Sequence, residues 1–263
     1  MNRLALNQNS CKNLSLFEFL KYSKNFEGVE LNFKIIKKSL SNTLNLKDIS
    51  EILETYDTRI SSIFRLKDFS LSSEREYNTK ILINLREIID FCYKLEVDLL
   101  IVNPSPLKDF PDSDKIPPWR IFKRTRRRLE DICKIASKYD INIGFEFLTT
   151  PDSSISTLSE AKEVINPLES QENLGYVIDS FHFAKSNADL NQLNEIKDLI
   201  FLIQLSDIND DLERIFPGNG NYDVQELINY AKKIGYRDFF SIELSKNSCS
   251  KRLYKKFLEF YSI

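Results

Sequence analysis

The chain has 263 residues, 37 Lys+Arg against 39 Asp+Glu, a net charge of −2 and a single histidine, His182. The balanced charge removes the electrostatic case for a nucleic-acid or membrane partner. One histidine excludes any metal site built from several imidazoles, so a bound metal would draw nearly all its ligands from oxygen.

Taken in order, short apolar runs predict strands at 3–8, 28–33, 59–66, 98–103, 141–147, 174–181, 199–206 and 238–245. Amphipathic stretches predict helices near 14–25, 43–57, 75–95, 119–139, 157–167, 190–197, 223–234 and 248–261. In 75–95, Ile81, Leu85, Ile88, Cys92 and Leu95 recur at three- and four-residue spacing, as do Ile121, Thr125, Leu129, Ile132 and Ala136 in 119–139. Lys232-Lys233-Ile234-Gly235 is a helix end with late cations and a glycine cap. Leu99-Leu100-Ile101-Val102 is apolar on both faces, the pattern of a parallel strand covered by helices.

Eight strand–helix units without a linker predict one domain over residues 1–263, a closed (β/α)8 TIM barrel of the α/β class. An open doubly wound sheet is the alternative, weakened by the lack of a glycine-rich dinucleotide fingerprint. The first predicted strand begins at Arg3, so no signal segment is read there, and no apolar run nears the roughly 20 residues of a membrane span. A cytoplasmic location is expected. None of Cys11, Cys92, Cys133 and Cys249 forms a CxxC pair, and all four are expected to be reduced and structural.

Function in a barrel belongs at the C-terminal ends of the strands. Side chains alternate faces along a strand, so Gly144 shares a face with Glu146, Val177 with Asp179, Leu202 with Gln204 and Ser241 with Glu243. Four successive strands thus each place one oxygen-bearing side chain near the mouth. Three carboxylates buried together without a cation would be costly. Glu146, Asp179, Gln204 and Glu243 therefore predict one divalent metal, Mn2+ or Mg2+, with Co2+ as a further candidate. Arg65 and Asn103 lie near strand ends on a plausible inward parity. Lys185, shortly after the sixth strand, is a candidate to hold a substrate phosphate or carboxylate. The basic run Arg120, Lys123, Arg124, Arg126, Arg127 and Arg128 reads mainly as a solvated helix face, with Arg120 nearest the mouth.

At these residues the chain resembles the sugar phosphate isomerase/epimerase superfamily, the xylose isomerase-like TIM barrels. Three segments carry the resemblance: Gly144-Phe145-Glu146-Phe147; Gly175 to Phe183, which contains Asp179 and His182; and Ile203 to Leu244, which contains Gln204, Asp207, Arg214, Pro217-Gly218-Asn219-Gly220 and Glu243. The resemblance implies metal ligation by Glu146, Asp179, Gln204 and Glu243. It also implies catalytic proton transfer by Glu146 and Glu243, and contacts from His182 and Arg214 to a substrate oxygen. The third ligand position is a histidine in many epimerases of this group, whereas certain 3-dehydroshikimate dehydratases carry glutamine there, as this chain does. The expected activity is a metal-dependent isomerase or epimerase of a small sugar or sugar-like hydroxy-ketone. A dehydratase on the same scaffold is the nearest alternative, and a barrel that binds sugar without catalysis a more distant one. The endonuclease branch needs a cluster with several histidines, which one histidine cannot supply. Whether the chain forms a homo-oligomer is open.

Overall fold

The computed structural model describes residues 3–42, 44–107, 116–244, 248–250 and 252–262. Eight parallel strands, β1 (Arg3–Asn7), β2 (Gly28–Asn32), β3 (Arg59–Leu66), β4 (Leu99–Val102), β5 (Asn142–Phe145), β6 (Leu174–Asp179), β7 (Ile200–Leu205) and β10 (Phe239–Ile242), close into a barrel. Closure is made by β1, which pairs with β2 on one side and with β10 on the other, Ala5 opposite Ser241. A two-stranded antiparallel hairpin, β8 (Asp207–Ile208) with β9 (Arg214–Ile215), stands after β7. The helices are α1 (Leu16–Tyr22), α2 (Phe33–Asn42), α3 (Leu46–Thr55), α4 (Glu74–Glu76), α5 (Leu82–Lys94), α6 (Pro118–Ala136), α7 (Leu158–Ile165), α8 (Ser180–Lys185), α9 (Asn191–Glu195), α10 (Val224–Lys233) and α11 (Leu253–Tyr261).

Strand alternation separates two apolar layers. Leu4, Leu6, Ile63, Leu100, Ile178, Ile203 and Phe240 join the large core between sheet and helices. Their neighbours Ala5, Phe64, Leu99, Ile101, Val177, Leu202 and Phe239 form a separate cluster inside the barrel. The inward parity expected for β6 and β7 therefore holds, because Val177 and Leu202 belong to the inner cluster. Gly144 leaves room for this packing: a Cβ there would stand 2.6 Å from Val177 Cγ2.

The α6 stripe Ile121, Thr125, Leu129, Ile132 and Ala136 is buried as expected, and Pro118 opens the helix where a missing N–H costs nothing. One member of the basic run departs from a solvated face. Arg128 is fully buried, donating from Nη1 to Phe69 O at 2.5 Å and to Ser72 Oγ at 2.9 Å, with its guanidinium 4.3 Å from the Tyr77 ring centre. Gly235, at φ 99°, follows α10 as the left-handed cap.

Besides the β8–β9 hairpin, which was not expected, further features differ from the sequence expectations. Strand β6 stops at Asp179 and α8 begins at Ser180, so the strand does not run to 181. Helix α2 lies where no helix was expected, directly after β2. Cys11 and Cys249 are joined as a disulfide with Cα atoms 5.4 Å apart, while Cys92 and Cys133 are free and buried. The expectation of four reduced cysteines is thus corrected for one pair: barrel closure brings the loop after β1 beside the segment after β10, 238 residues later. Among the described residues, no helix is long and apolar enough to cross a membrane.

Candidate active site

The C-terminal ends of β4 to β7 and β10 converge on one acidic cluster. Asp179 ends β6 and caps α8, its Oδ1 accepting from Phe181 N at 2.9 Å. The first turn of α8 then sets His182 three residues on, with Nε2 3.8 Å from Asp179 Oδ2. Glu146 follows β5 and is buried; Asn103, just after β4, donates from Nδ2 to Glu146 Oε2 at 2.8 Å. Among the described residues, one group of His, Cys, Asp and Glu side chains has donor atoms mutually within 4.8 Å: Glu146, Asp179 and His182.

Burial, then the charges of Asp179 and Glu243, push the Glu146 carboxyl up to about 8. His182 moves the other way. Burial, then the charge of Arg214, push its imidazole down to about 3, so the ring is neutral at physiological pH. Both of its ring nitrogens have neighbours. Thr149 N donates to His182 Nδ1 at 3.1 Å, and Thr149 Oγ1 lies 2.8 Å from the same nitrogen. A backbone N–H can only donate, so Nδ1 accepts from Thr149, while the Arg214 guanidinium, also a donor only, faces Nε2.

Arg214 reaches the cluster from β9. Its Nη1 donates to Asp179 Oδ1 at 2.8 Å and to Ser206 Oγ at 3.2 Å, and its Nη2 donates to Asp179 Oδ2. Nη2 also lies 3.3 Å from His182 Nε2. Burial works against the Arg214 charge, but Asp179, Glu243 and Glu146 outweigh it and hold the guanidinium firmly protonated. The Phe181 ring carries the Arg214 guanidinium at 4.6 Å and Lys185 Nζ at 5.7 Å. Lys185 thus stands one aromatic ring from the centre, half-buried, and Arg214 rather than Lys185 touches the carboxylates.

The loop that delivers Arg214 is organised by Asp207, which is buried at the start of β8. Asp207 Oδ2 accepts from Gly218 N at 3.0 Å and Gly220 N at 2.8 Å. Its Oδ1 accepts from Tyr222 N at 3.0 Å and Ile208 N at 2.7 Å. Gly220 permits this closure, since a Cβ there would lie 2.3 Å from Ile208 O and 2.5 Å from Asp207 Oδ1.

The remaining expected residues are placed differently. Glu243 follows β10 and is half-buried, with Asn9 Nδ2 donating to its Oε1 at 2.9 Å. It acts on Glu146 and Arg214 through charge but falls outside the 4.8 Å group. Gln204 is buried on β7 in register with Asp179; its Nε2 donates to Glu30 Oε2 at 2.9 Å, and its Oε1 has no partner. Arg65 is exposed, with its charge felt at Glu146 and His182. Arg120 is exposed beside Trp119, 6.0 Å from that ring centre.

The residue types fit a divalent cation. Glu146, Asp179 and Glu243 would offer carboxylates, Asp179 in competition with Arg214, and the orphaned, buried Gln204 Oε1 would offer a carbonyl oxygen that lacks a hydrogen-bond donor. Sequence reasoning missed Asn9, Glu30, Thr149, Phe181 and Asp207. Glu30 carried a usable signal, because Gly28, Glu30 and Asn32 share a face of β2 by the same alternation that marks Glu146 and Asp179.

A family model described as xylose isomerase-like TIM barrel matches residues 21–261. The chain is 26% identical over 208 residues to an inosose isomerase of Bacillus velezensis, covering 76% of this chain and 72% of that protein. It is 27% identical over 184 residues to an inosose isomerase of Bacillus subtilis, covering 67% and 64% respectively. Among solved structures, the IOLI protein with a bound zinc atom superposes at a TM-score of 0.87 with 23% identity, over 99% of this chain and 95% of the other.

Proposed function

The chain belongs to the xylose isomerase-like TIM barrel family, and from that premise we propose that it interconverts inososes or closely related cyclic or open-chain hydroxy-ketones, using one divalent cation. It is an enzyme of the sugar isomerase/epimerase type, as the family and its inosose isomerase relatives indicate. The observation that carries the substrate chemistry is the convergence of Glu146, Asp179 and His182 at the barrel mouth, with Arg214 across them.

Glu146, Asp179, Gln204 and Glu243 would hold the cation. When bound, it supplies Lewis-acid polarisation of neighbouring hydroxyl and carbonyl oxygens. Glu146 takes the proton from the carbon beside the substrate carbonyl. Glu243 stands on a different strand and serves as the proton-transfer group on the other side of the substrate. Return to the opposite face of the same carbon gives epimerisation; return to the neighbouring carbon gives isomerisation. His182 and the Arg214 guanidinium bind the oxygen on which negative charge grows. The Phe181–Lys185 side of the mouth contacts the more distant hydroxyls.

The test is a solvent-deuterium exchange screen of the purified protein with Mn2+, over inososes and ketoses. Deuterium appears at a carbon beside the carbonyl, and the Glu146→Gln and Glu243→Gln variants lose the exchange. Full exchange in both variants would overturn these roles. A dehydratase is the second reading, supported by Gln204 in place of a histidine; loss of water from dehydroshikimate in the same screen would identify it.

A further inference from the structure

Glu30 lies inside the barrel on β2 and is fully buried. Its Oε2 accepts from Ser62 Oγ of β3 at 3.0 Å and from Gln204 Nε2 of β7 at 2.9 Å, while its Oε1 has no partner. Among the described residues no cation side chain bonds to it. A carboxylate so deeply placed carries a large desolvation penalty unless its position does something else.

The two ends of a glutamine amide are nearly equal in shape and opposite in chemistry. The carbonyl oxygen ligates cations, and the amide nitrogen does not. Gln204 sits in register with Asp179, on the inward face that also carries Glu146 and Glu243. Beside three carboxylates, an unrestrained Gln204 would turn its NH2 group toward them and its oxygen away. Such an orientation would close the fourth ligand position. Glu30 offers a competing acceptor from the opposite side and takes the NH2 group, which leaves Oε1 as the orphan.

We propose that Glu30 is a positioning residue that fixes the Gln204 amide with its carbonyl oxygen free for the cation. The inference rests on Gln204 as a metal ligand, argued above from the donor set. Glu30 itself touches neither the cation nor the substrate.

Glu30→Gln is isosteric and removes the preference: a glutamine at 30 can donate to Gln204 Oε1 as readily as it accepts from Nε2. Calorimetric titration of the metal-free protein with Mn2+ is expected to show a dissociation constant roughly 10- to 100-fold weaker in this variant, the usual effect of losing a partner behind a ligand. At saturating Co2+, the visible d–d spectrum of the variant changes, because an oxygen ligand has been lost. Mn2+ binding equal to that of the unaltered chain overturns the proposal. So does weaker binding with an unchanged Co2+ spectrum, which would mean that Glu30 acts through charge alone. If the unaltered chain binds neither ion, the ligand assignment of Gln204 fails, and this inference fails with it.

Discussion

Asp207→Asn separates the loop that carries Arg214 from the rest of the barrel with the smallest change of shape. The Asp207 carboxylate accepts four backbone N–H groups, two on each oxygen, at 2.7 to 3.0 Å. Asparagine keeps one acceptor oxygen and sets an NH2 group against two N–H donors that have nothing else to meet. A hydrogen bond to a charged group contributes about 1.5–3 kcal/mol. Losing two, with some relief as the turn at Gly218 to Gly220 opens, costs about 3 kcal/mol. At about 2.1 cal/mol/K of unfolding entropy per residue, that lowers the melting temperature of a 263-residue chain by about 5 °C. The displaced turn also moves Arg214 from Asp179, so kcat/KM in the deuterium-exchange assay falls on the order of 10²-fold. Scanning calorimetry and exchange kinetics on the same preparation check both effects. An unchanged melting temperature together with unchanged kcat/KM would refute the idea that Asp207 builds the site from behind.

The metal-free protein should lose stability as pH rises from about 6.5 to 8. Glu146 and Glu30 are held up to about 8 and about 7, so the fold retains protons that the unfolded chain has already released. The buried, neutral His182 acts oppositely only below its ordinary value of 6.5, outside that window. Mn2+ should flatten the profile, and a metal-free profile that rises over this range would contradict the burial of these carboxyls. His182→Gln should lower kcat about 10²-fold while leaving the Mn2+ dissociation constant nearly unchanged, because the proposed function gives His182 to the substrate and not to the cation. A large loss of Mn2+ affinity would instead make it a ligand. Arg214→Met should destabilise the metal-free protein by about 3–5 kcal/mol, since it leaves Asp179 buried without its ion-pair partner. The same variant should bind Mn2+ more tightly and substrate more weakly; calorimetry and KM give the two readings.

The barrel was legible because its signal is local and repeated. Leu99-Leu100-Ile101-Val102 is apolar on both faces, and Leu100 and Ile101 do enter different layers. The inward side chains Glu146, Asp179 and Gln204 were legible for the same reason, since alternation along a strand needs no knowledge of its neighbours. Asn103 followed from parity as well and meets Glu146 directly. The short helix α8 was not legible. Phe181 and Phe183 continue the period-two pattern of β6, and the capping bond from Phe181 N to Asp179, which ends the strand, competes with that pattern only in three dimensions.

What the chain order hides is partnership across the closed barrel. Glu30 and Gln204 are 174 positions apart, and Asn9 and Glu243 are 234 apart, yet each pair is joined at 2.9 Å. The Cys11–Cys249 pair, 238 residues apart, has the same origin. Parity tells which face a side chain takes; only strand order and register tell what it faces there. The consequence is chemical. Read alone, Gln204 is a fourth oxygen in a ligand set. Set against Glu30 it becomes an amide with one end already committed, and Asp179 set against Arg214 becomes a carboxylate already paired. Any cation entering this site must compete with Arg214 for Asp179 but finds Gln204 Oε1 unpartnered. On the proposed ligand set, ligand identity resides in the strand ends, while the ease of loading resides in β2 and in the β9 loop.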